Sequence, residues 1–472
     1  MFSPDTYVNR RGVLASRFDG GVLVFPGNDE SPMNYADNCY PFRQDSTFLY
    51  YFGLDQPGLA AVIDVDAATA TIFGDELTID HIVWMGDLPT IAARADRVGV
   101  TDTRPLADVA RVVAGARGAG RDVHYLPPYR AGTTLWLADL LGVAPAEVKE
   151  GASTDFIRAV VDQRIFKSEE EVAEIDKAVA VSVAMHEAAI RMARPGMTEA
   201  EIAAEAGRVA EASGGRLSFP VIATIHGEVL HNHVHHNTLS DGDLFLLDAG
   251  AETTLGYAGD LSSTFPVSPR FSGRQRTIYE LQLQAQVTAV DTLAPGVPYR
   301  DVHFAACRVI FDGLKDLGIF KGDTDEALAA GAHAMALQCG TGHMMGLDVH
   351  DMENLGEVWV GYDGEPKSTQ FGLKSLRLAR PLQPGFVVTV EPGIYFIPQL
   401  MDLWRSEDRC ADFIDFDELD KWRDFGGVRN EEDFLITAEG ARRLGPHKPQ
   451  TVEEIEALRA GAGPAGHQTP RG

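Results

Sequence analysis

The chain has 472 residues, 45% of them apolar and 8% aromatic, enough for two or three domain cores at about 100–200 residues each. Its 69 acids outnumber its 41 bases, and a formal charge of −28 excludes the concentrated lysine and arginine that nucleic acid or an anionic membrane requires. Four scattered cysteines, no apolar run near the roughly 18–20 residues of a membrane helix and no signal-like N-terminus exclude a disulfide scaffold, and a cytoplasmic location is expected.

In chain order, Gly21–Phe25 and Gly58–Ile63 are apolar runs of strand length, while Leu106–Ala116 and Thr133–Leu141 read as helices. This alternation predicts an N-terminal α/β domain over residues 1–163. Ser168-Glu-Glu-Glu171 is a capping box opening a long Ala-rich helix to about Arg194, and Thr198-Glu-Ala-Glu201 opens a second one. A helix from Ile278 to Ala294 and another from near Tyr299 repeat that layout. The breaks Pro195-Gly196 and Pro295-Gly296 lie 100 positions apart (295 − 195), so 164–446 is expected to be one domain of two related α/β halves. Residues 447–472 are read as a tail, of linker composition and disordered from Gly461 onward.

Acids stand where apolar strands end. Leu244–Leu247 runs into Asp248, Val387–Val390 runs into Glu391, Glu431-Glu432-Asp433 opens Phe434-Leu435-Ile436, and Asp260 lies between the first two. For any single acid a turn is the ordinary explanation. Four of them, with His343 and His350 in the Gly-rich stretch Cys339–Asp351, point instead to a metal site, because a buried carboxylate needs a proton, a base or a metal. Four carboxylates and an imidazole suit Mn²⁺, Co²⁺, Fe²⁺ or Zn²⁺, and two such ions balance the four negative charges.

At these residues the sequence resembles the pita-bread metallopeptidases, in their prolidase (Xaa-Pro dipeptidase) and aminopeptidase P branch. The matching pieces are Leu-Leu-Asp248-Ala-Gly, Gly-Tyr-Ala-Gly-Asp260, Gly-His343-x-x-Gly-Leu-Asp-Val-His350-Asp, Thr-Val-Glu391-Pro-Gly and Gly-Gly-Val-Arg429-x-Glu431. Tyr40–Tyr50 looks like the hallmark stretch of the aminopeptidase P N-terminal domain. The resemblance implies that domain, followed by a pseudo-symmetric pita-bread catalytic domain of the creatinase and methionine aminopeptidase type. It implies two divalent ions per chain, Mn²⁺ first and Co²⁺ or Zn²⁺ as alternatives, activating a bridging hydroxide against the bond between an N-terminal residue and proline. Asp248 would hold one ion, His343 and Glu391 the other, and Asp260 and Glu431 would bridge them. Glu391 would also take the proton of the water, His350 and His231 would contact substrate, Arg429 would orient a ligand carboxylate, and Arg377 would read the substrate's terminal carboxylate. The implied partners are small peptides with proline second, and a homodimer or dimer of dimers, without nucleic acid or membrane.

Three departures stand out. Cys339 occupies the place of a histidine four residues ahead of His343, Asn430 replaces an aliphatic residue, and the twelve positions from Asp248 to Asp260 are one more than usual, to be absorbed by a bulge or a longer turn. His233, His235 and His236 read as an exposed polar loop. The competing readings are a non-catalytic binding protein on the same fold, and a hydrolase of a non-peptide C–N bond.

Overall fold

The computed structural model describes residues 1–461, so the linker-like stretch beyond Gly461 lies outside the described residues. The chain divides into two compact units, Met1–Arg164 with Met352–Trp359, and Ile165–Asp351 with the chain from Val360. Among the described residues no helix is long and apolar enough to cross a membrane.

The first unit is built on a five-stranded sheet in the order Asp102–Arg104, Thr69–Phe73, Ala60–Asp64, Val22–Pro26, Val123–His124. The three central strands are antiparallel and each edge strand runs parallel to its neighbour. Alternate residues explain the unbroken apolar runs. Val22 and Val24 join Val62 and Phe73 against the helices Asp108–Gly118 and Ala131–Leu141. Phe25 faces the other way, 5.4, 5.2 and 5.2 Å from the rings of Tyr51, Phe52 and Phe156. Both faces are covered, so neither needs polar residues. The helix Ser46–Phe52 supplies that second layer and is capped by Asp45, whose Oδ1 accepts from Phe48 N at 2.9 Å.

The second unit carries the repeat. Glu169–Met192 starts at a complete capping box on Ser168, and Glu199–Ala212 at another on Thr198. Gly273–Thr292 begins five residues before the expected Ile278, because Ser272 and Gln275 form a third box. Tyr299–Asp316 completes the second pair. Both Pro-Gly breaks dock in the same way: Gly196 N donates to Leu239 O at 2.8 Å and Gly296 N to Leu382 O at 2.7 Å. Each of these glycines has a positive φ, 91° and 85°, which a side chain would strain.

Each half then contributes antiparallel strands. In the first, Leu244–Asp248 lies between Ile222–Thr224 and Ser262–Pro266. In the second, Val387–Val390 pairs with Glu432–Ile436, and Ala441–Arg443 lies beyond. The strands Gly393–Tyr395 and Gly427–Arg429 pair in turn. Val387↔Leu435 and Tyr395↔Gly427 share one register, since 387 + 435 and 395 + 427 are both 822. A single long hairpin therefore runs through both pairs, with the helices Pro398–Ser406 and Phe416–Asp420 inside its connection. A further helix, Val452–Ala460, falls within the segment expected to be a tail, and Arg459 on it caps the Glu169–Met192 helix through Ile190 O at 2.8 Å.

Candidate functional site

Strand register decides which side chains meet. In the first half Asp248 pairs with Ser262, so both point to one face, and Asp260, two residues before Ser262, shares it. Glu252 bridges Ala258 in that same register (252 + 258 and 248 + 262 are both 510), so the long spacing is taken up in the turn Thr253–Tyr257 rather than in a bulge. In the second half the register of the long hairpin sets Glu391 opposite Glu431 and Thr389 opposite Asp433. On the other edge, Thr389 N donates to His343 O at 3.1 Å and Glu391 N to Thr341 O at 2.8 Å, which aligns His343 with the same rows. Gly342 makes that approach feasible: a Cβ there would lie 2.2 Å from Thr389 O.

All nine residues singled out in the sequence line one pocket of about 470 Å³. Asp260, His343 and Glu431 each present a donor atom, all within 4.8 Å of one another. His343 Nε2 is 3.3 Å from Asp260 Oδ2 and 3.6 Å from Glu391 Oε1. Its Nδ1 lies 3.0 Å from Met344 O, the contact that keeps the proton there and turns the Nε2 lone pair to the acids. Arg429 donates from Nε to Ser262 Oγ at 2.9 Å, from Nη1 to Tyr395 OH at 2.8 Å and from Nη2 to Asp248 Oδ2 at 2.7 Å. Ser262 in turn donates to Glu431 Oε2 at 2.9 Å.

These bonds satisfy one oxygen of Asp248 and one of Glu431 and leave the other of each bare, while Asp260 receives no donor from them. Asp248 Oδ1, Asp260 Oδ1 and Glu431 Oε1 are buried without a hydrogen-bond partner among the described residues. Like charges directly opposite on a strand pair, as at Glu391 and Glu431, also repel. Burial, and then the charge of Asp248, pushes the Asp260 carboxyl up to about 8. Burial raises Glu391 and takes Glu431 well above the usual carboxylate range, with the neighbouring acids adding to both. Oxygen-rich donors, bare buried oxygens and an oriented imidazole are what a hard or borderline divalent cation fits.

The substrate-facing candidates border this cluster. The His350 ring centre is 4.1 Å from that of His343, and the next residue, Asp351, is held by Lys167 Nζ at 2.8 Å. His231 stands exposed at the rim, its pKa lowered by partial burial and then by the charge of Arg429. His233 lines the rim as well, while His235 bonds Val221 O at 3.0 Å. Arg377 reaches the pocket because Gly340 packs against its neighbour: a Cβ on Gly340 would meet Leu376 Cα at 3.1 Å. Burial, and then Glu391, pushes the Cys339 thiol up to about 12, so it stays neutral. Asn430 is fully buried and donates to Gln282 Oε1 at 2.6 Å, while Gln282 donates to Pro392 O at 2.6 Å. This polar brace spans the two strands just behind the opposed glutamates. Asp433 was not singled out from the sequence. Its Oδ2 accepts from Asp260 N at 3.1 Å, and the Glu-Glu-Asp run was the available signal.

Known proteins show the same arrangement of domains. Residues 173–438 match metallopeptidase family M24, and residues 7–124 match the aminopeptidase P N-terminal domain. The chain is 32% identical over 459 residues to the Xaa-Pro dipeptidase of Homo sapiens, covering 94% of this chain and 89% of that one. It is 30% identical over 479 residues to the Xaa-Pro aminopeptidase of Escherichia coli K12, covering 98% of each. The solved structure of Pseudomonas aeruginosa aminopeptidase PepP superimposes with a TM-score of 0.80 at 30% identity, over 98% of this chain and 99% of that chain. Zinc-substituted E. coli aminopeptidase P in complex with product gives 0.81 at 29% identity, over the same shares. That family membership implies divalent metal, and the chain belongs to metallopeptidase family M24, in the branch of the prolidases and aminopeptidases P.

Proposed function

We propose that this chain is a dinuclear metal-dependent exopeptidase that hydrolyses the bond between an N-terminal residue and a following proline. The observation that carries this reading is the set of bare buried oxygens on Asp248, Asp260 and Glu431, which share one pocket with the turned Nε2 of His343. Asp248 would hold one ion, His343 and Glu391 the other, with Asp260 and Glu431 between them. Mn²⁺ is the ion this oxygen-rich set favours, with Co²⁺ and Zn²⁺ as alternatives. When bound, the metal pair polarises the scissile carbonyl and lowers the pKa of water.

The rest is the work of the chain's own side chains. Arg429 fixes Asp248 and, through Ser262, Glu431, so that the free oxygen of each points inward. Glu391 takes the proton of the attacking water and returns it to the proline nitrogen, which leaves as a secondary amine. His350 and His231 donate hydrogen bonds to the carbonyl oxygen as charge develops on it. Arg377 binds the substrate carboxylate through its planar fork. A peptidase specialised for this bond is required because proline has no N–H for ordinary main-chain recognition and a fixed φ.

The test is hydrolysis of Ala-Pro and of Ala-Pro-Ala by the protein loaded with Mn²⁺, Co²⁺ or Zn²⁺ in turn. Cleavage of either supports the reading, and cleavage of the tripeptide alone assigns an aminopeptidase. Cleavage of neither with any ion refutes it.

A further inference from the structure

A second group of ligand-type side chains lies outside the carboxylate centre. His303 and Cys307 occupy successive turns of the helix Tyr299–Asp316, with His303 Nε2 3.3 Å from Cys307 Sγ. His333, on the short 3-10 turn Ala332–Met335, faces them with its ring centre 6.0 Å from that of His303. One donor atom from each of the three lies within 4.8 Å of the others. All three residues are buried, none more than 1% exposed.

Packing explains part of this arrangement, since a histidine and a cysteine four apart on a helix touch without any ligand. It does not explain His333. Both of its ring nitrogens are buried without a hydrogen-bond partner among the described residues. Burial lowers His303 to about 3 and His333 to about 4, so both imidazoles are neutral and each keeps a lone pair. The His303 Nδ1 lies 2.6 Å from Thr341 Oγ1, which leaves Nε2 directed to Cys307. A ring nitrogen tied to a polar partner while the other faces a thiol is the arrangement that metal-binding histidines adopt.

We propose that His303, Cys307 and His333 form a separate site for one borderline-soft divalent cation of the Zn²⁺ class. Two imidazoles and a sulfur are its preferred ligands, and tetrahedral Zn²⁺ at about 2.0–2.3 Å from each asks only a small closure of the trio. On binding, the Cys307 S–H bond breaks, its proton leaves to solvent and a sulfur–metal bond forms. The site is tied to the carboxylate centre through Thr341. That residue receives His303 on its side chain, and its carbonyl accepts from Tyr299 OH at 3.0 Å and from Glu391 N at 2.8 Å. The ion therefore anchors the stretch leading to His343. This inference does not rest on the peptidase reading, because its readout is a sulfur signal that no carboxylate or imidazole gives.

The experiment is titration of the metal-stripped full-length protein with Co²⁺, recording thiolate-to-cobalt charge-transfer absorption. The expected result is a band whose limiting amplitude corresponds to one thiolate-bound cobalt per chain, and which is displaced by Zn²⁺, persists in Cys339→Ser and disappears in Cys307→Ser. His333→Gln, which keeps the thiol, should weaken the band's Co²⁺ affinity at least about tenfold. Absence of a band in the unaltered protein, as when a water fills the trio, overturns the proposal. Loss of the band in Cys339→Ser overturns it too, by assigning the sulfur to the carboxylate pocket.

Discussion

Replacing Glu431 by glutamine removes one charge from the acid cluster while keeping its shape. The amide oxygen still accepts from Ser262 Oγ, now 2.9 Å from Glu431 Oε2, and the amide nitrogen gains bare acceptors nearby. With their donor atoms within 4.8 Å, two ionised groups at Asp260 and Glu431 repel by about 3.5 kcal/mol at an effective dielectric of 20. Proton uptake relieves part of that repulsion, so the variant should be more stable than the parent by about 1–3 kcal/mol once metal is stripped. Metal acts in the opposite direction. An ion at about 1,000 times its Kd adds about 4.1 kcal/mol to the parent. A variant that binds about 100-fold more weakly gains about 1.4 kcal/mol at the same concentration. The variant's lead should therefore shrink by about 2.7 kcal/mol, or reverse, when Mn²⁺ is restored. Urea unfolding of both proteins, with chelator and with metal, measures all four stabilities. If Glu431→Gln is the less stable protein after stripping, or gains as much from metal as the parent, the acids are not held together by a shared cation.

Stripped protein should also lose stability as pH rises from about 4 to about 8. The folded Asp260 carboxyl keeps its proton up to about 8 whereas the unfolded one releases it near 3.8, so the folded state binds more protons across that window. Metal-loaded protein, in which cations replace protons, should show no such decline in thermal unfolding. Arg429→Lys cannot reproduce bonds to Ser262, Tyr395 and Asp248 together, and should cost about 2–3 kcal/mol in urea unfolding and lower kcat at least about tenfold. His343→Ala should bind one metal fewer by elemental analysis and lose about 100-fold or more in kcat. Cys339→His, which restores a ring donor to the pocket, should change kcat/KM for Ala-Pro-Ala at unchanged metal content, by steady-state assay.

What the sequence disclosed and what it hid have physical causes. An apolar strand that ends in an acid is visible in one dimension because the strand is local and the acid violates its pattern. Asp248 and Glu391 were legible for that reason, Glu431 as an acid opening such a strand and Asp260 only by its place between the first two, and the capping boxes at Ser168 and Thr198 are equally local. The box at Ser272 uses Gln275 rather than an acid, and the helix was placed late. Long-range pairing was the hidden part. Nothing between Tyr395 and Gly427 announces that the strands on either side share one register, because two short helices intervene. The tail assignment failed to foresee Lys448, whose Nζ donates to Ser262 O at 2.7 Å behind the acids. His333 belongs to no motif, and only folding brings it to the His303–Cys307 pair.

The surplus of acid charge is what bound divalent cations would offset. Asp433 joins the four pocket acids, its Oδ2 on Asp260 N and its pKa raised well above the carboxylate range by burial and then by Asp260. Five acids against Arg429 and Lys448 leave a formal charge of −3 in a place that water reaches poorly, and a lone divalent ion would leave −1 there. Surplus charge at such depth is normally shed by protonation, which is what the raised Asp260, Glu391, Glu431 and Asp433 display without metal. Two hairpins that bring like charges into register are poor design for stability alone, since apolar residues at those positions would extend both sheets. The fold retains the conflict where cations can resolve it, and the conflict lies at the joint between its two halves, where Ser262 of one strand meets Glu431 of the other.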